Sequence, residues 1–271
     1  MPELPEVETT RRGLVPHVAG AHVARLCVYD ARLRWPVPCD LAAKVAGRRV
    51  DAVERRGKYL LFRFGGDALI AHLGMTGSLV AHAHAPPLRK HDHADLVLDS
   101  GVTVRFHDPR RFGALLWQPA GETHPLLAGL GPEPFDDAFD AAYLARVLRG
   151  RRASIKTLLM DSCVVVGVGN IYAAEALFRA GVRPTTAAGR VTRPRLARLV
   201  ASVREVLAAA IGQGGTTLRD YVGTDGSVGR FQHETCVYGR EGLPCRVCGT
   251  TIRGVRLGQR ASAYCPACQR R

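Results

Sequence analysis

Lysine is scarce. Of the 38 basic residues in this 271-residue chain, only Lys44, Lys58, Lys90 and Lys156 are lysine, and 34 are arginine. A bias that strong makes each retained lysine informative. Acids are few as well, 24 against the 38 basic residues, which leaves a formal net charge of +14 and a pI near 10.0. Such an excess sets no fold, but it predicts a polyanionic partner. Long apolar runs are missing too. No stretch reaches the roughly 18 uncharged apolar residues of a membrane span, and the longest candidate, from Val164 to Gly169, is soon interrupted by Asn170 and Glu175. The opening Met-Pro-Glu-Leu-Pro-Glu lacks the basic, apolar, small-residue order of a secretory signal. No membrane partner and a cytoplasmic location are therefore expected.

The chain does hold enough apolar residues for a core. At 46% hydrophobic and 23% charged it is globular, with room for one sizeable domain or two modest ones. Collagen-like, coiled-coil and mini-protein architectures are excluded. Eight cysteines without a secretory signal point to thiols or metal ligands rather than a disulfide framework.

Leu4, Val7 and Leu14 share one face of a helix, which Pro16 is expected to stop. From about 50 to 118 the pattern changes to short strand-like runs, at 58–64, 68–73, 94–98 and 102–106, with a turn at Asp99-Ser100-Gly101. Short strands without long intervening helices predict an antiparallel sandwich or barrel. Residues 129–134, with two Pro and two Gly, are expected to be a linker. Beyond them the pattern is helical. Phe139, Tyr143, Leu144, Val147 and Leu148 share a face, and further helices are expected near 154–161, 170–180 and 196–211. Residues 216–229 are rich in Gly, Thr, Ser and Asp, a long loop by composition.

Cys245-Arg-Val-Cys248 and Cys265-Pro-Ala-Cys268 are two knuckles 16 residues apart. Each knuckle offers two thiolates, and together they complete a tetrahedral S4 set suited to Zn2+. Redox pairs or free thiols are the alternative. With no open ligand position, one zinc ion here is structural. Residues 240–271 carry seven Arg against one acid, Glu241, as a phosphate or groove binder would. Cys27, Cys39, Cys163 and Cys236 lack such spacing and are expected to be ordinary thiols, buried or partly buried.

Six segments in order carry a family resemblance: Met1-Pro2-Glu3-Leu4-Pro5-Glu6-Val7-Glu8-Thr9, His72-Leu73-Gly74-Met75-Thr76-Gly77-Ser78, Lys90-His91-Asp92-His93, Asp108-Pro109-Arg110-Arg111-Phe112-Gly113, Gly167-Val168-Gly169-Asn170-Ile171-Tyr172, and the cysteine ribbon. Together they resemble bacterial formamidopyrimidine-DNA glycosylase over essentially the whole chain. The resemblance implies an α+β protein: an N-terminal antiparallel β-sandwich with an N-terminal helix, then a helix–two-turn–helix domain ending in a β-hairpin zinc ribbon. The implied domains are 1–130, catalytic; 131–228, DNA-binding with a lesion loop; and 236–271, the ribbon. The implied activity is excision of 8-oxoguanine and ring-opened purines from double-stranded DNA by a monomer in the bacterial cytoplasm, at the nucleoid.

That chemistry explains the N-terminus. Once Met1 is removed, Pro2 is a secondary amine with a pKa near that of an α-amino group, about 8, so more of it is neutral and nucleophilic than a lysine would be. A helix starting near Glu3 adds its positive end. The amine forms an iminium at the sugar C1′, which acidifies the C2′ proton and permits β- and δ-elimination. If Met1 stays attached, Pro2 is an amide and the mechanism fails. By resemblance Glu3 opens the deoxyribose ring as a proton donor, Lys58 serves β-elimination and Arg260 serves δ-elimination. Glu6, one turn on from Glu3, either orients the site or simply complements the helix dipole.

A base in the stack is out of reach, so it must be flipped and its place filled. By resemblance Met75, Arg110 and Phe112 fill it; without the resemblance Met75 and Phe112 are core residues. His91, Arg151, Asn170 and Lys156 match DNA-contacting positions, Asn170 at a helix N-terminus offering N–H groups to phosphate; a helix-surface role is the bland reading of Lys156. His91 and His93 with Asp92 and Asp95 are a poor metal set, and His82 and His84 are expected in a solvated loop. Two alternatives stay open: an endonuclease VIII-type glycosylase for oxidised pyrimidines, and a non-catalytic zinc-ribbon DNA-binding protein.

Overall fold

Leu4, Val7 and Leu14 are all buried along one side of the first helix, α1 (Leu4–Val18). Pro16 does not stop it. Proline removes only its own N–H and crowds only the carbonyl four residues back, so in a last turn it is tolerated, and the Ala19 N–H still closes onto the Val15 carbonyl. The computed structural model describes residues 2–216 and 231–270, apart from the side chains of 232 and 233. Most of the loop expected at 216–229 lies outside the described residues.

The chain divides into two units. The first holds residues up to Ala128 together with the segment starting at Gln213. After α1 come β1 (Val23–Val28), α2 (Leu41–Val45), β2 (Ala52–Arg56), β3 (Tyr59–Phe64), β4 (Asp67–His72), β5 (Ser78–His82), β6 (Asp92–Leu98), β7 (Thr103–His107), β8 (Ala114–Gln118) and α3 (Pro125–Ala128). They form two four-stranded sheets, ordered β1-β6-β7-β5 and β2-β3-β4-β8, and every pairing is antiparallel. Leu60, Phe62 and Leu69 of one sheet and Leu26, Leu96, Val104 and Phe106 of the other share one buried core. This is the expected sandwich. The second sheet is also covered outside, where Leu61, Ile70, Ala114 and Leu116 meet Trp35, Tyr59, Leu126 and Leu127. Two-sided burial accounts for near-continuous apolar strands such as 60–64 and 68–71. His82 ends β5, paired with Thr103, and so is not in a loop; His84 is exposed as expected.

The second unit holds Gly129–Gly212 and the chain from Phe231. Its elements are α4 (Ala141–Val147), α5 (Ile155–Leu159), α6 (Asn170–Arg179), α7 (Arg193–Gly212), β9 (Arg253–Leu257) and β10 (Arg260–Tyr264). Asp140 and Ser154 cap α4 and α5 through the N–H groups of Tyr143 and Thr157. Phe139 is buried but precedes α4. Arg204 on α7 staples residues 134–139, donating to the carbonyls of Pro134, Asp136 and Phe139 at 2.8–3.0 Å. The β9–β10 hairpin turns through Gly258, whose positive φ a two-residue hairpin favours. The ribbon packs on α6 through Ala174, Phe178, Val237, Ile252 and Ala263. No helix among the described residues is long and apolar enough to cross a membrane.

Candidate active site and nucleic-acid interface

In the first unit Pro2 and Glu3 are buried at the head of α1. Glu6, fully buried, accepts the Glu3 N–H at 2.7 Å and the Thr216 N–H at 2.8 Å with its two carboxylate oxygens. It therefore orients the helix start and ties it to the segment leading into 217–230, a role that dipole complementation alone does not require. Two residues further, Glu8 collects Arg11, Arg12 and Arg55 at 2.8–3.2 Å, binding α1 to β2. Burial opposes its charge, yet the Arg11 and Arg12 hydrogen bonds win and hold it down to about 2.

Lys58 precedes β3, whose first residue, Tyr59, pairs with His72 and lies against its ring at 4.8 Å between centroids. His72 is pushed down to about 4, first by burial and then by the positive charges of Lys58 and Arg34. A neutral ring suits its contact, because Nδ1 accepts the Gly74 N–H at 3.0 Å. So Lys58, His72 and the Met75 turn occupy one corner of the sandwich.

Phe112 is 39% exposed and Met75 is partly exposed, so neither is a core residue. The Arg110 guanidinium lies 4.9 Å over the Phe112 ring. Between them Arg111 takes φ +58°, a left-handed backbone that puts its neighbours on a common side, and its guanidinium reaches Asp30 at 3.0 Å. His91 also has positive φ, +74°, and burial, then Lys90 and neighbouring cations, lower its pKa. Its neighbour His93 is fully buried with its ring nitrogens against the Asp30 and Asp108 carbonyls, so neither nitrogen faces a site where a metal could sit.

The second unit holds Arg151, Lys156, Asn170, Arg260 and the four cysteines of the two knuckles. Arg151 and Arg260 are exposed. Lys156 is only 1% exposed, which excludes the helix-surface reading. Its Nζ donates to Asn170 Oδ1 and to Ser262 Oγ, both at 2.8 Å, while Asn170 Nδ2 donates to the Ala261 carbonyl at 3.2 Å. Lys156, Arg260 and Ser262 line a recess of about 390 Å³ with Gly258 and Gln259. The recess is open and mixed in character: Leu158, Met160 and Leu257 line it beside Asp161, and Arg260 is its one exposed cation. Glu175 on α6 was not singled out from the sequence. Buried to 2% exposure, it accepts the N–H groups of Cys236, Val237 and Tyr238 at 2.7–3.0 Å and anchors the entry to the ribbon. The only sequence signal for it is an acid on the otherwise apolar stretch 171–178.

The sulfurs of Cys245, Cys248, Cys265 and Cys268 lie within 4.8 Å of one another, with sulfur–sulfur contacts at 3.5–3.9 Å. A tetrahedron with Zn–S of about 2.3 Å has edges of about 3.8 Å, so the set fits one structural Zn2+. Of the remaining cysteines, Cys27 and Cys236 are partly buried as expected, whereas Cys39 and Cys163 are exposed.

Family models match nearly the whole chain in order. Residues 1–115 match the formamidopyrimidine-DNA glycosylase N-terminal domain, 130–222 its H2TH domain, and 242–271 a zinc finger found in FPG and IleRS. The formamidopyrimidine-DNA glycosylase of Stenotrophomonas maltophilia strain R551-3 is 57% identical over 270 residues, all of both chains. That of Methylococcus capsulatus is 58% identical over 272 residues, again all of both. Among solved structures, the FPG protein of Thermus thermophilus superposes with a TM-score of 0.88 at 45% identity, covering 99% of this chain and 98% of that one. A Lactococcus lactis FPG variant in complex with Fapy-dG-containing DNA gives 0.91 at 32% identity over 100% of both chains.

Proposed function

The chain belongs to the formamidopyrimidine-DNA glycosylase family, and from that premise we infer that it is a base-excision repair enzyme, a bifunctional DNA glycosylase and AP lyase acting on oxidised purines in double-stranded DNA. The observation that carries this is the ordered match of all three family models, spanning residues 1–115, 130–222 and 242–271. Relatives of the same architecture bind duplexes containing Fapy-dG or an abasic site.

Pro2 is the nucleophile once Met1 is gone. Its nitrogen lone pair attacks C1′, the C1′–N bond to the base breaks, and the base leaves with a proton. Glu3 donates a proton to O4′ so that the sugar opens and the iminium forms. The positive end of a helix favours a neutral amine at its start, and Glu3 follows Pro2 directly as the N-cap of α1. Loss of the C2′ proton then expels the 3′ phosphate, and a second elimination expels the 5′ phosphate. Lys58 and Arg260 serve these two steps. Met75, Arg110 and Phe112 fill the gap left by the flipped base. His91, Arg151, Asn170 and Lys156 hold the backbone, and the enzyme acts as a monomer in the bacterial cytoplasm at the nucleoid.

The test is borohydride trapping on a duplex with 8-oxoguanine opposite cytosine, followed by mapping of the adduct. A covalent adduct at Pro2 is expected. No adduct despite tight binding by a chain with Pro2 free would leave a non-catalytic DNA-binding protein, and adducts only with oxidised pyrimidines would leave an endonuclease VIII-type enzyme.

A further inference from the structure

The gap-filling side chains sit on two separate loops, 73–77 with Met75 and 108–113 with Arg110 and Phe112. We propose that Asp108 is a positioning residue that locks these two loops together through Thr76 and Gly113, so that Met75, Arg110 and Phe112 enter the duplex as one rigid wedge. The inference rests on the wedge role assigned to those three side chains.

Asp108 is completely buried, and its partners are all donors. Oδ1 accepts the Thr76 hydroxyl at 2.8 Å and lies 3.3 Å from the Arg110 N–H; Oδ2 accepts the Gly113 N–H at 2.8 Å. Thr76 in turn accepts from the Arg110 N–H at 3.3 Å. An acceptor-only group with two oxygens suits this arrangement. An amide in its place would turn an NH2 toward one of the donors and leave buried groups unpaired.

The same junction is closed by backbone contact. Gly74 has φ +63°, and a Cβ there would overlap the backbone of Phe112 and Gly113. A Cβ on Gly113 would meet Phe106 Cζ at 2.6 Å and the His72 carbonyl at 2.7 Å. Met75 is thus flanked by two residues, Gly74 and Thr76, that are both seated on the other loop. The left-handed Arg111 that puts Arg110 over Phe112 is braced by its N–H to the Asp108 carbonyl at 3.3 Å. Side chains that hold a separated duplex step must resist its collapse, and a wedge on two independent loops would yield one loop at a time.

The test uses the full-length zinc-loaded protein and the variants Asp108→Asn, Thr76→Val and Thr76→Ser. Hydrogen exchange of the DNA-free protein reads the lock itself: Thr76→Val should raise exchange across 110–113 as well as at 73–77, and Thr76→Ser should not. Single-turnover excision of 8-oxoguanine should fall about 10- to 100-fold in Asp108→Asn and Thr76→Val, as displaced reacting geometry costs. Schiff-base trapping on a preformed abasic site, where no base is extruded, should change by less than about threefold. A 2-aminopurine opposite the lesion should report slower insertion, restored by Thr76→Ser. Unchanged exchange at 110–113 in Thr76→Val overturns the lock. So does an equal fall of excision and abasic-site trapping, which marks a merely structural residue. If exchange responds but Met75→Ala and Phe112→Ala leave the 2-aminopurine signal untouched, it is the wedge reading that fails, and the function given to the lock falls with it.

Discussion

The Lys156 ammonium is bonded to Asn170 Oδ1 and Ser262 Oγ, each at 2.8 Å, and so joins the start of α6 to the ribbon hairpin from inside the fold. A charge buried to 1% exposure is kept only where partners hold it. Lys156→Met should leave Asn170 and Ser262 without their donor and cost about 1–3 kcal/mol in chemical denaturation. Because the recess wall at Arg260 and Ser262 moves with it, affinity for any duplex should fall as well. A surface lysine would show neither effect.

His72 makes stability depend on pH in a defined window. Its folded pKa, about 4, lies below the unfolded value of 6.5, so the unfolded chain binds the extra proton between these limits. Its contribution is complete above pH 6.5 and is lost as pH falls toward 4, on the order of 3 kcal/mol in all. Denaturation midpoints taken from pH 7 to 4 should fall, and His72→Gln, which keeps an acceptor for the Gly74 N–H, should flatten the curve. Glu8 acts lower. Its depressed pKa gives stability that is present above about pH 4.5 and lost toward 2.

How much of this was legible in the residues depended on whether the signal was local. Leu4, Val7 and Leu14 announced α1 because a helix shows its buried face as a period. The four cysteines announced the metal because knuckle spacing is local geometry. Strand β1 was missed: its edge position gives only Val23 and Leu26 buried, with no clean alternation. Strand β8, Ala114–Gln118, is buried too continuously to show a period of two. Buried polar groups were least legible. Nothing near Lys156 or Glu175 says that their partners stand 106 and about 60 residues away. The motif around Asp108 was visible, but that its carboxylate takes the hydroxyl of Thr76, 32 residues earlier, is tertiary information.

The net charge of +14 has a direct consequence for binding. Each phosphate neutralised by an arginine or lysine releases condensed counterions, so affinity falls as a power of salt concentration. With six or more such contacts, the dissociation constant should rise about 10³-fold between 50 and 200 mM salt. Fluorescence anisotropy on an undamaged duplex measures this, and a flat response would count against a basic binding face.

Removing the metal should act on binding before it acts on the sandwich. Cys245 and Cys265 belong to the small ribbon core with Val237, Ile252 and Ala263, and β10 carries Arg260 and Ser262 directly before Cys265. Without Zn2+ the four thiols lose their common ligand, and so small a core cannot hold the hairpin. Chelation or Cys245→Ser should abolish DNA binding while residues 4–118 keep their strand signal in circular dichroism. Full binding by verified metal-free protein would overturn this.

Glu3 and Pro2 can be separated experimentally. Glu3 is 2% exposed, and its N–H is held by Glu6, so Glu3→Gln should keep the helix start and the fold. The amide cannot deliver a proton to O4′, and loss of a positioned general acid costs about 10²- to 10⁴-fold. An abasic sugar already reaches the open aldehyde, so its capture by Pro2 needs no such proton. The expected outcome is that 8-oxoguanine excision by Glu3→Gln collapses while trapping on an abasic duplex persists. Measured side by side in single turnover, equal loss on both substrates would place Glu3 in the capture step itself rather than in ring opening.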